Sequence, residues 1–150
     1  MTSSSAVDDD APRTRGTYRV ASVLYVFLGL AFGLSVPWVV AFLVDNGYLP
    51  LMFGFRALSG PLEGFGRGAF LVAAGILVAV SLLDVIAGVL LWRGRRGGAL
   101  LGLATDPIAL ALGWGFALPL LLIGVPVRAL LVIAGLGQRT PPPDEIAPQP

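Results

Sequence analysis

Apolar and small residues run unbroken along this chain for stretches far longer than a strand or an amphipathic helix needs. Residues 20–44 (VASVLYVFLGLAFGLSVPWVVAFLV) carry no charge. A membrane span needs about 20 such residues, against about 7–15 for the core of a cleavable secretory signal, so an uncleaved first span is predicted here. Residues 69–92 (AFLVAAGILVAVSLLDVIAGVLLW) predict a second span, closed at the interface by Trp92. Residues 99–137 are continuously apolar but, as one helix, would reach close to ~60 Å, about twice a hydrocarbon core. Gly113, Gly115 and Pro119 divide that stretch, with Trp114 at the interface, and predict spans over about 99–116 and 118–137. Pro119 then falls in a first helical turn, where its missing N–H costs little.

The remainder is polar punctuation. Residues 1–19 hold Asp8, Asp9 and Asp10, then Arg13, Arg15 and Arg19, and read as a disordered cytoplasmic tail. Residues 138–150, with Pro141, Pro142 and Pro143, read as a second, Pro-rich disordered tail. The loop 45–68 opens on Asp45-Asn46-Gly47, a strong turn signal. It is rich in apolar and aromatic residues (Tyr48, Leu51, Met52, Phe53, Phe55, Phe65), which predicts a segment on the membrane surface or packed over the helix ends. Its sharper reading is a docking or substrate-entry surface.

The expected fold is therefore an all-α integral membrane protein, an antiparallel four-helix transmembrane bundle over 20–137. Arginine placement orients it. Inside segments would hold Arg13, Arg15, Arg19, Arg93, Arg95, Arg96 and Arg139, and outside loops only Arg56 and Arg67. That asymmetry places both termini in the cytoplasm. One alternative competes: Asp106-Pro107 also matches a helix N-cap followed by Pro at the first helical position, which would start the last span near 107 and leave three spans.

Composition sharpens the picture. Hydrophobic residues make up 56% of the chain and charged residues 13%, against about 25% charged in an ordinary soluble domain. Every basic residue is Arg, which with abundant Ala, Gly and Pro suggests a GC-rich, bacterial genome and a multi-pass protein of the bacterial inner membrane. The net charge of +1 and the lack of a basic patch argue against nucleic acid. Cysteine and histidine are absent, which excludes disulfides, thiol nucleophiles, Cys/His zinc sites, His-ligated haem and imidazole acid–base chemistry. No phosphate-cradling loop, GxSxG or HExxH occurs, and Gly64-Phe65-Gly66-Arg67-Gly68 lacks the strand and helix context of a nucleotide loop. No catalytic residue, metal site or cofactor is assigned.

What remains is three lone charges in apolar sequence: Asp84, Asp106 and Arg128. A charge in hydrocarbon is costly unless it is paired or functional. Asp84 precedes Trp92 by eight residues, Asp106 follows Ala99 by seven, and Arg128 precedes Gly137 by nine. With four spans, each lies about 10–14 Å from the cytoplasmic end of its helix, at one height. Each lies on a helical stripe that contains small residues: Ala73, Leu77, Ser81 and Gly88 with Asp84; Gly102, Ala109 and Gly113 with Asp106; Gly124, Leu131 and Gly135 with Arg128. Gly29 and Gly33 add a GxxxG pattern on the first span. Gly29, Gly33, Gly88, Gly102 and Gly124 are the predicted helix-packing positions. Pro126 predicts a kink beside Arg128.

Arg128 bridging both aspartates is the structural reading, since a planar guanidinium can serve two carboxylates. The functional reading starts from the imbalance of two carboxylates against one guanidinium: one Asp could exchange a proton or bind a cation during transport. The leading expectation is a non-enzymatic accessory or assembly subunit of a membrane complex, with lipid around it and a membrane-protein partner or a second copy beside it. The alternative is a small proton- or ion-coupled transporter or channel.

Overall fold

In the computed structural model, residues 11–52 and 55–137 are described. Four helices carry the chain: α1 (Ala11–Asn46), α2 (Arg67–Trp92), α3 (Arg96–Gly115) and α4 (Pro119–Gly137). All four are long and apolar enough to cross a membrane. The loop after α1 contains a two-stranded antiparallel ribbon, β1 (Leu51–Met52) with β2 (Phe55–Arg56), and a 3-10 turn at Pro61–Phe65.

Contacts at the glycines show that neighbouring helices run antiparallel. Gly88 of α2 faces Ser22 and Val26 of α1, while Gly29 of α1 faces Ser81 and Val85 of α2. Gly98 of α3 abuts Ala87 and Leu91 of α2, and Gly113 of α3 abuts Leu121 of α4. Tyr18 at Gly135 and Leu28 at Gly124 close the ring between α1 and α4.

The distribution of polarity is inverted relative to a water-soluble protein. Leu34 (73% exposed), Leu100 (69%) and Ile123 (68%) face outward, whereas Asp84, Asp106 and Arg128 are buried. An outer apolar band around an interior that holds three charges fits a bilayer as solvent. Four apolar helices fit a small multi-pass membrane protein.

Several expectations need correction. Helix α1 begins at Ala11, so 11–19 are helical rather than part of an irregular tail. At 36 residues it reaches about 54 Å, well beyond a ~30 Å core. The Arg19 guanidinium lies 5.7 Å from the Trp92 ring, which fixes the end of α2 at that level and leaves earlier turns of α1 projecting past it. The three-span alternative also falls. Asp106 and Pro107 lie inside the continuous helix α3, and Asp106 is buried rather than capping an end. Pro119 does open α4, and Trp92 does close α2. The tails 1–10 and 138–150 lie outside the described residues.

The loop caps one end of the bundle. Leu58 is buried against the core, with Leu49, Ala57 and Leu62 packed beside it, while Tyr48, Leu51 and Phe65 point outward. Phe70 and Phe116 meet edge to face beneath this cap, with centroids 5.4 Å apart.

Candidate functional site: a buried ionic cluster

The three lone charges meet. Arg128 Nη1 donates to Asp84 Oδ2 at 2.7 Å, and Arg128 Nε donates to Asp106 Oδ1 at 2.9 Å. Nη2 lies 2.8 Å from that same Oδ1 but is not aimed along it, so the aligned hydrogen bond belongs to Nε. The guanidinium thus joins three helices, α2, α3 and α4. Arg128 has no exposed surface, and Asp84 and Asp106 retain 3% and 6%.

Two hydroxyls complete the cluster. Tyr25 of α1 donates its phenol hydrogen to Asp106 Oδ2 at 3.0 Å. Its ring also carries the Arg128 guanidinium, 4.2 Å from the centroid, a cation–π contact in a dry setting. Thr105 Oγ1 lies 2.9 Å from both Asp84 Oδ1 and the Gly102 carbonyl, so its one hydrogen is shared between two acceptors. Every carboxylate oxygen therefore has a donor, as a buried ion pair requires. The guanidinium bridges the two carboxylates.

Helix faces place these groups. On α2, Ala73, Leu77, Ser81, Asp84 and Gly88 are all buried, as their spacing predicts; on α3 so are Gly102, Asp106, Ala109 and Gly113. Helix α4 is rotated slightly from expectation. Its buried line is Leu121, Val125, Arg128, Val132 and Gly135, while Gly124 and Leu131 sit at its edge.

The glycines divide by what they face. A Cβ on Gly102 would stand 2.6 Å from the Tyr25 Cζ and hydroxyl oxygen, so the missing side chain is what admits Tyr25 to the cluster. Gly29 would meet the Ser81 carbonyl at 2.6 Å and Gly88 the Ser22 carbonyl at 2.9 Å, both rigid backbone. The Ser22 hydroxyl in turn donates to the Gly88 carbonyl. Gly124 faces only the flexible tip of Leu28, and Gly33 has ordinary room, 3.6 Å from Ser81 Cβ. The GxxxG pattern is thus one tight glycine and one loose one.

The cluster splits the core into two apolar halves. Toward the capped end lie Leu28, Val80, Ala109 and Val125; toward the other lie Tyr18, Ala21, Ala87, Ala99 and Val132. Sequence reasoning missed Tyr25 and Thr105. Ser22, Tyr25 and Gly29 share a helical face, a polar and small stripe that points inward, and Thr105 precedes Asp106 directly.

A separate cavity of about 830 Å3 opens under the loop, walled by Trp38, Phe42, Tyr48 and Phe70 with Arg56, Glu63 and Arg67. No family model matches the chain, and no curated protein or solved structure is significantly similar to it.

Proposed function

We propose that this chain is a non-enzymatic accessory or assembly subunit of a membrane complex, with both termini cytoplasmic in a bacterial cell membrane. The observation that carries the reading is the closure of the ionic cluster. Arg128 is wholly buried and each of the four carboxylate oxygens has a hydrogen-bond donor, so the cluster ties α1, α2, α3 and α4 together. A cluster so arranged fixes how four helices register. The apolar band around all four helices supplies surface for a neighbouring membrane protein or a second copy, and nucleic acid has no counterpart here.

Purification from native membranes in mild detergent, followed by mass spectrometry, tests this. A stoichiometric partner protein is expected. A clean homo-oligomer without a partner would move the weight to the second reading.

That second reading, a small proton- or ion-coupled transporter or channel, is favoured by one observation: two carboxylates face a single guanidinium. Under it, Asp84→Asn and Asp106→Asn abolish flux in proteoliposomes while the fold survives. Normal flux in both variants sinks it.

A further inference from the structure

A second cavity, of about 580 Å3, lies at the capped end between α1, the turn after β2 and the corner joining α3 to α4. Its size is within the range of about 300–1,000 Å3 typical of ligand sites. The walls are apolar, including Phe32, Val36, Phe116 and Leu120. Among its described lining residues Arg56 is the one charged group, joined by the hydroxyls of Ser35 and Ser59.

The backbone around this cavity is under strain. Among the described residues, two that are not glycine have positive φ, Leu58 at 58° and Ala117 at 50°, and both line it. Such conformations persist only where the surroundings hold them, and they gather at ligand clamps. Here the turn and the corner hold each other. A Cβ on Gly60 would collide with the Gly115 carbonyl and stand 2.8 Å from the Ala117 nitrogen. The two strained segments are locked together over one apolar cavity.

We infer that this cavity seats one acyl chain of an anionic phospholipid, with the phosphate held by Arg56. The inference rests on insertion of the helices in a bilayer and not on the accessory role. A cavity of hydrocarbon walls with a single cation complements an amphiphile with one apolar tail and one anionic head. The cation is available. Arg56 pairs with Glu63 at 3.6 Å, and both side chains are largely exposed (67% and 46%), so exchanging that partner for a phosphate costs little. Arg56 also lines the neighbouring 830 Å3 cavity, where Arg67 adds a second guanidinium on the headgroup side.

The test is native mass spectrometry of the full-length protein, delipidated in detergent and titrated with phosphatidylglycerol or phosphatidylcholine. The wild type is expected to retain one phosphatidylglycerol at least tenfold more tightly than phosphatidylcholine. Arg56→Gln, at an exposed position, should reduce that preference below twofold. Ser35→Phe, which fills the cavity, should weaken both lipids at least tenfold without changing the circular dichroism of the lipid-free protein. Wild-type binding by both variants overturns the proposal. So does full displacement of the lipid by millimolar inorganic phosphate, which would make the site one for a free anion.

Discussion

Arg128 is held by two aspartates and one tyrosine ring with no exposed surface, and removing it has a calculable consequence. Arg128→Met leaves two buried carboxylates without a cation and should cost about 3–5 kcal/mol. Asp84→Asn leaves the Arg128–Asp106 pair balanced and should cost less. The triple variant Asp84→Asn, Asp106→Asn, Arg128→Met should be more stable than Arg128→Met alone, because no unpaired charge remains. Thermal unfolding in one detergent compares the set; an Arg128→Met variant as stable as wild type would end the structural account of the cluster. Tyr25→Phe isolates the hydroxyl, since its ring stays over the guanidinium. Loss of a hydrogen bond to a charged acceptor should lower stability by about 1.5–3 kcal/mol in the same assay. The three charges were legible in sequence because ionisable residues are rare in apolar runs. Tyr25 and Thr105 were not, because tyrosine and threonine are ordinary in spans and only their partners reveal them.

At the scale of helices, close approach depends on single glycines rather than on the motif that contains them. Gly29→Ala pushes a methyl into the Ser81 carbonyl and should cost about 1–3 kcal/mol as overpacking between α1 and α2. Gly33→Ala meets only ordinary contact and should stay within about 0.5 kcal/mol of wild type. Equal losses in the two variants, measured by thermal unfolding, would show that the contact at Gly29 relaxes freely. Element boundaries were legible where chemistry marks them, at Trp92 and Pro119. They stayed open where a marker has two meanings. Asp106-Pro107 resembles a helix start, yet α3 runs through it, because the Asp106 side chain is engaged by Arg128 and Tyr25 rather than by its own backbone. Local sequence offers no way to weigh those partners against each other.

For the whole molecule, the arginine asymmetry predicts an orientation, and the absence of cysteine from the sequence makes that expectation easy to test. Gly64 and Gly97 are exposed, with nothing near a substituent, so single cysteines there should be tolerated. In intact cells a membrane-impermeant maleimide should label Gly64→Cys, and it should reach Gly97→Cys only after permeabilisation. The opposite pattern would invert the topology, and labelling of both from outside would break the four-span arrangement. Labelling of Gly64→Cys alone from outside would put the cap, Arg56 and the two loop-side cavities on the outer face, and the basic turn Arg93–Arg96 within.

The sequence by itself determined that the chain is built of long apolar helices, and it identified the three charges that had to be hidden; the structure settled the number at four. Both follow from single-residue transfer costs, which depend on composition and length and need no knowledge of neighbours. Only the tertiary structure decided that one guanidinium serves both aspartates and that Tyr25 and Thr105 complete the set. It also decided that Gly29 is tight where Gly33 is loose, and that Leu58 and Ala117 close over one cavity. Those outcomes depend on how each helix is rotated about its axis and which backbones touch. Rotation is set by packing between residues far apart in the chain, as the Tyr25 ring seated on Gly102 illustrates.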